Sequence, residues 1–415
     1  MSEVRLEFAE RTLASGLTCV ALRNPGVATF AVTLGLHVGQ RDEADGEHGV
    51  AYLVGSCLEE GTRHRSSVEL AEAIEAIGGS LDAAANGATI QCPADEAAKA
   101  VKLVREVSLE PAFAAREVRR VQQEVLAEIE AEDADPRSVA RRTFLREVYG
   151  SHPSGRPSYG DPKAVATYRP SDLQRFHKNW FVPHDGIVAA AGPASAEETL
   201  DLLVKAFRPF RGPPRDHVAH ATPAVPTASR EIHLPMEREQ VHVYAGHVGI
   251  RREDPDFIAL LVMDHVLGSG PGFTSRITQR LRDEMGLCYS VHASITSGAG
   301  LEPSAFAAYI GTSAEHRIRA VEVFREEIHR IRDTLPTEQE LQDVKDYLTG
   351  SYVFGLERNS NLVGYAVRAK RYGLGYDFIH RYPELVTAVT RDDVRHVART
   401  HLHPDNLIVV SAGAT

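Results

Sequence analysis

Apolar positions change their spacing twice along this chain, and both changes run the same way. Near the start of each half, short apolar runs predict strands. Longer stretches with apolar residues three and four apart follow and predict helices. In the first half, Leu13–Leu22 and Ala28–Val38 read as strands of a hairpin turning at Asn24-Pro25-Gly26. Ser67–Ile77 reads as a helix with Leu70, Ile74 and Ile77 on one face. Ser66 and Glu69 suit a capping box at its start, and Gly78-Gly79 ends it. Glu117–Glu132 reads as a second helix with Val118, Val121, Val125 and Ile129 as its apolar stripe. In the second half, Thr337–Phe354 and Asn359–Tyr372 have helical spacing. The predicted class is α+β, with two homologous domains, each a mostly antiparallel sheet covered on one face by helices.

An internal repeat supports the doubling. Thr167–Ala194 and Ala388–Thr415 align without gaps. Asp172 matches Asp393, Pro183 matches Pro404, Ile187-Val188 match Ile408-Val409, and Ala191-Gly192 match Ala412-Gly413. Each copy predicts a helix with an acid in its first turn, where the dipole favours negative charge. Each then breaks at a proline and continues as an uncharged apolar strand. Between the halves, Arg208–Ser229 is rich in proline and lacks either period, so it reads as an extended linker. The expected division is residues 1–207, a linker at 208–229, and residues 230–415.

Composition narrows the function classes. A length of 415 residues suits two cores rather than one. The formal net charge of -11 argues against nucleic acid as a partner and fits a neutral or basic peptide. The four cysteines, Cys19, Cys57, Cys92 and Cys288, form no CxxC pair and read as reduced thiols of a cytoplasmic protein. Met1–Leu17 lacks the pattern of a secretory leader, and no run approaches the roughly 18 apolar residues of a membrane span.

Gly49–Thr62 reads GVAYLVGSCLEEGT. It resembles the active-site helix of the pitrilysin or insulinase-type zinc peptidases, the inverzincins, whose H-x-x-E-H is followed by a closing Gly-Thr. Gly61-Thr62 matches that closure and sets Tyr52-Leu53-Val54-Gly55-Ser56 over the five motif positions. The next stretch, GGSLDAAANGAT at Gly78–Thr89, resembles the strand beside the family's substrate cleft, which makes Ala83, Ala84 and Ala85 candidate peptide-binding residues. The resemblance also takes in Leu281–Val291 and Val409–Gly413, so it covers nearly the whole chain at the length of one half of a full-size pitrilysin.

A catalytic zinc needs three protein ligands and an open position for water. In the frame set by the resemblance, the two histidine positions hold Tyr52 and Ser56, neither a competent zinc ligand at neutral pH. The base position holds Gly55, which has no side chain. Glu128 falls where the family's third ligand lies, but one carboxylate does not hold zinc alone. His48 reads as a loop residue, and His217, His220, His401 and His403 have no acid at helical spacing to rebuild a site. No metal is expected in this chain.

The second half carries LRDEMGLCY at Leu281–Tyr289. The resemblance implies that Arg282 and Tyr289 are the family's arginine and tyrosine that face the zinc across the cleft. A helix from near Thr274, capped by Gly286, and a strand at Leu287–His292 would bring the two to one surface. A guanidinium and a phenol suit a substrate carbonyl and the oxyanion that forms from it. Gly268-Ser269-Gly270-Pro271-Gly272 resembles a shortened form of the glycine-rich loop of non-catalytic processing subunits, and reads as the flexible entry to that helix.

These readings converge on a non-catalytic, substrate-binding subunit of a heterodimeric zinc metallopeptidase. A zinc-binding chain of similar length is the expected partner, closing with this one around a chamber. An extended peptide would add to a sheet edge near Ser80–Thr89. No peptidase activity is expected of the chain alone. The alternative is a structural or binding scaffold with no part in proteolysis. A homodimer remains open for the isolated chain.

Overall fold

The computed structural model describes residues 6–217, 219–271 and 274–415, so Gly272 of the glycine-rich stretch and the first five positions lie outside the described residues. The chain forms two compact units, neither of them one continuous stretch. The first comprises Met1–Ile129, Pro157–Ala219 and Val353–Tyr376, and the second Glu130–Arg156, His220–Tyr352 and Asp377–Thr415.

The first unit is built on six strands: β1 (Glu7–Thr12), β2 (Thr18–Arg23), β3 (Thr29–Gly35), β4 (Ser80–Ala84), β5 (Gly87–Pro93) and β6 (Ile187–Gly192). They lie in the order β1-β2-β6-β3-β5-β4. The expected hairpin of β2 and β3 does not form, because β6 lies between them, parallel to β2 and antiparallel to β3. Its sequence, IVAAAG, is buried at every position and belongs at the centre, where both faces are covered. The Asn24 turn bridges over its end, where the Asn24 amide donates to the Gly192 carbonyl at 2.7 Å.

One face of this sheet presents Cys19, Ala21, Val32, Leu34, Ile90, Val188 and Ala190. Helices Ala97–Leu109 and Ala196–Phe207 cover it with Val101, Val104, Leu200 and Leu203. The alternate residues Val20, Leu22, Ala31, Ala189 and Ala191 are buried on the other face. That face carries the helix Asn359–Arg371, which comes from the far end of the sequence and lies against β6 and β3. Its start is tied down by Asn359, which donates to Thr29 O at 2.7 Å and accepts from Asn24 at 3.0 Å. Near its end, Arg371 donates to the carbonyls of Gly35 and Leu36, each at 3.0 Å.

The second unit repeats the plan with five strands: β7 (Arg230–Pro235), β8 (Gln240–Val248), β9 (Ser290–Ser294), β10 (Ala305–Ser313) and β11 (Ile408–Gly413). Their order is β7-β11-β8-β10-β9. β11 is the repeat partner of β6, likewise buried throughout, parallel to one neighbour and antiparallel to the other. Helix Pro136–Tyr149, from the first half of the sequence, lies against β8 and β11 and packs Ala140, Phe144 and Val148 on Tyr244, Val410 and Ala412. Each unit is thus completed by a helix from the other half.

The local stops and starts match the sequence signals. Ser66 and Glu69 form the capping box of helix Ser67–Glu75, and Asp172 and Asp393 occupy equivalent first-turn positions in Pro170–Trp180 and Arg391–His401. The proline-rich stretch forms no helix or strand among its described residues. It is pinned at His217, whose Nδ1 lies 2.6 Å from Asp42 Oδ1 and whose ring stacks on Trp180. No helix of the described residues is long and apolar enough to cross a membrane.

Candidate functional site

Helix Val50–Cys57 carries the motif frame in the first unit. Buried Glu43 holds its start, with Oε1 accepting from the amides of Gly49 and Ala51, each at 3.0 Å. Helix Ala115–Asp133 brings Glu128 to Tyr52. The Tyr52 hydroxyl donates to Glu128 Oε2 at 3.1 Å, a direct bond between the two positions that the resemblance assigns to metal ligands. Ser56 turns inward on its own helix and donates to the Tyr52 carbonyl at 3.1 Å.

Gly55 is the tightest point. A Cβ there would lie 2.5 Å from the Ala85 nitrogen and 2.6 Å from the Ala84 carbonyl carbon, both backbone atoms. The helix therefore rests directly on the end of β4, and a carboxylate side chain has no room to begin. The donor set is two neutral hydroxyls, one of them committed to the helix backbone, and one carboxylate committed to the other hydroxyl. It does not fit a catalytic zinc. The second unit makes the same contact: a Cβ on Gly268 would lie 2.6 Å from the Ala293 nitrogen of β9. Read beside each other, Tyr52-Leu53-Val54-Gly55-Ser56 and His265-Val266-Leu267-Gly268-Ser269 are two versions of one helix-on-edge-strand contact. That pairing is a signal in the sequence that the motif frame alone passes over.

β4 ends its sheet, so Ala83 and Ala84 lie on an edge strand and Ala85 in the turn after it. β4 is antiparallel to β5, with Ala83 opposite Ala88. The Ala83 N–H points away from β5 and donates to Glu59 Oε1 at 2.8 Å. By the alternation of an antiparallel ladder, Leu81 and Ala83 direct their backbone groups to the open side. Partial burial raises the Glu59 pKa, the Ala83 amide works against that, and the charges of Asp82 and Glu60 push it further up.

In the second unit, Arg282 and Tyr289 come together as expected. The Arg282 guanidinium carbon lies 5.4 Å from the centre of the Tyr289 ring, within cation–π range. Helix Arg276–Thr278 continues as wider π turns over Gln279–Glu284 and ends at Gly286, whose φ of 65° is the left-handed turn that glycine permits. The Gly286 amide donates to Arg282 O at 3.2 Å, and the Leu287 amide to Leu281 O at 2.8 Å. Two ion pairs anchor this segment. Arg276 is bidentate to Glu340 at 2.6 and 3.0 Å, and Arg280 reaches Glu327 at 2.6 Å. Tyr289 is 85% exposed, which leaves its hydroxyl accessible to a ligand.

Two features escape the spacing rules. A cavity of about 1510 Å³ in the second unit is lined by Arg137, Tyr244, His292, Thr296 and Ala307, and not by Arg282 or Tyr289. Asp254, Asp256 and His401 place ligand atoms within 4.8 Å of one another, with His401 Nε2 at 2.8 Å from Asp256. The histidine comes from a helix end far along the chain, so no local motif announces the group.

Comparison with known proteins agrees with the family resemblance. A family profile described as "Insulinase (Peptidase family M16)" matches residues 18–162, and one described as "Peptidase M16 inactive domain" matches residues 168–348. An "uncharacterized zinc protease" of Mycobacterium tuberculosis is 30% identical over 395 residues, spanning 94% of this chain and 89% of the relative. One from Streptomyces coelicolor is 28% identical over 400 residues, spanning 94% and 86%. Among solved structures, a Pseudomonas fluorescens protein titled as a peptidase M16 inactive domain superposes with a TM-score of 0.91 at 25% identity, covering 98% of each chain. A protease from Helicobacter pylori superposes at 0.88 with 18% identity over 98% of this chain and 100% of its own, which speaks for the fold alone.

Proposed function

This chain belongs to the insulinase peptidase family, M16, and on that premise we propose that it is the non-catalytic, substrate-binding subunit of a heterodimeric zinc metallopeptidase. The observation that carries the reading is the bond from Tyr52 to Glu128, which joins two assigned ligand positions to each other. With no room for a base at Gly55, this helix has no group to activate water.

The partner is a chain of similar length that supplies H-x-x-E-H and the zinc. This chain supplies Arg282 and Tyr289, held together with the tyrosine exposed and the arginine half-buried, to bind the peptide carbonyl and the oxyanion that forms from it. The peptide adds as an extra strand to β4, beside Ala83, Ala84 and Ala85.

The test is reconstitution. Mixed with a zinc-bearing partner, the chain should restore peptide cleavage that neither achieves alone. Arg282→Ala should lower kcat by about 100-fold, the usual cost of one oxyanion donor, without preventing assembly. Full cleavage by the partner alone would refute the proposal. Full activity with Arg282→Ala would favour the scaffold alternative.

A further inference from the structure

An open sheet edge is a template for any extended chain, and proteins protect such edges. On the β4 edge, among the described residues, one side chain caps an outward backbone group. Glu59 Oε1 holds the Ala83 N–H at 2.8 Å, in the position that the carbonyl of an added strand would take. The carboxylate thus imitates one residue of a bound peptide. Glu59 lies three residues beyond Ser56, just after the helix that rests on β4, so the same contact that fixes Gly55 also aims Glu59 at the edge.

The charges around it are one-sided. Asp82 lies beside it on β4, and both are exposed residues, with the Glu59 carboxylate partly screened from water. Glu60 follows, but Arg120 pairs with it. Among the described residues neither Glu59 nor Asp82 forms an ion pair, so two negative charges flank the edge without a counter-ion.

We infer that Glu59 is a displaceable stopper on the β4 edge, one that a peptide with a basic side chain at this register draws away from Ala83. The inference rests on the reading that peptides add to β4. A neutral peptide must break the Glu59–Ala83 bond and leave the carboxylate beside its own backbone carbonyl. A lysine or arginine gives that carboxylate a new partner as the peptide carbonyl takes over the Ala83 amide. The edge therefore selects extended peptides with a cationic residue, and Glu59 is a specificity residue rather than a catalytic one.

The experiment is peptide binding to the full chain by fluorescence anisotropy. The probes are ten-residue extended peptides with a single lysine scanned along their length, each against its glutamine twin. The wild type should bind one lysine register about tenfold more tightly than its twin, as one charge-assisted bond of about 1.4 kcal/mol requires. Glu59→Ala should tighten the glutamine peptide and erase the preference. Glu59→Gln, which can still accept from Ala83, should erase the preference while binding the glutamine peptide no better than the wild type does. Ala83→Pro removes the outward N–H and should abolish binding in every background, with its fold checked by circular dichroism. Unchanged affinities on Glu59→Ala, or no lysine preference in the wild type, with binding that Ala83→Pro still removes, overturn the stopper and leave the edge reading intact. Binding that survives Ala83→Pro, or no binding by any variant, overturns the edge reading and the stopper with it.

Discussion

A glycine inside a helix usually costs stability, and alanine in its place gains up to about 1 kcal/mol. At Gly55 the sign reverses, because the added carbon would meet the Ala85 backbone nitrogen at 2.5 Å. Backbone cannot rotate away as a side chain can. Gly55→Ala should therefore destabilise the chain by about 2 kcal/mol, the typical cost of forcing a group into a filled space. Urea unfolding measures it, and a gain in stability would contradict the packing. Tyr52→Phe should cost only about 1 kcal/mol, since the bond to Glu128 is exposed. The thiols give a separate check. Burial pushes Cys19 and Cys57 up to about 12 and Cys92 and Cys288 up to about 11, with Arg282 opposing at Cys288. At pH 8 the folded chain should react slowly with a thiol reagent, and all four should react on unfolding. At this scale Gly61-Thr62 sets a frame in the sequence that singles out Tyr52 and Glu128, and these two side chains do meet. The bond from the Ala83 amide to Glu59 was not legible, because a side chain meeting a backbone amide far along the chain leaves no spacing behind.

Elements were legible in kind and less so in neighbourhood. The helical periods at Pro136–Tyr149 and Asn359–Arg371 say which face is apolar, not which sheet receives it. The strand signals covered β2 and β3, but Leu13–Leu17 forms the turn that leads from β1 into β2, and the expected pairing of β2 with β3 was wrong. A turn at Asn24 permits a hairpin, and the more apolar β6 takes the place between them. Asn359 is the tie that fixes the exchanged helix. Asn359→Ala should cost about 2 kcal/mol, because it leaves Asn24 and the Thr29 carbonyl without that partner. A loss under a few tenths in the unfolding midpoint energy would show that packing alone seats the helix.

The Arg276–Glu340 pair makes a pH-dependent claim of the same kind. Burial raises the Glu340 pKa, but the bonds from Arg276 and from Thr337 outweigh it and bring it down to about 2. The folded value is depressed below the unfolded one. The pair's stabilisation is therefore complete above the ordinary carboxylate range and is lost as pH falls towards about 2. Glu340→Gln should be less stable than the wild type at pH 7, with the difference closing through that acid window. A difference that persists at the bottom of the window would contradict the ion-pair account.

For the whole molecule, the exchange of helices means that cutting the chain in its proline-rich stretch does not release complete units. A fragment of residues 1–229 lacks Asn359–Arg371 and uncovers the sheet face of Val20, Leu22, Ala31, Ala189 and Ala191. It should bind a hydrophobic dye strongly, and the complementary fragment should suppress that binding. A fragment that stays well folded and dark would show that one face suffices. The two-fold plan itself was legible in the repeat around Asp172 and Asp393, while the exchange was not, because it depends on where chain ends meet in space.

On the proposed function, this chain contributes binding groups and no metal chemistry of its own. Zinc content of the purified full chain, after equilibration with zinc and removal of the excess, tests it most directly. The prediction is no zinc that depends on Glu128. One zinc per chain, lost on Glu128→Ala, would contradict it.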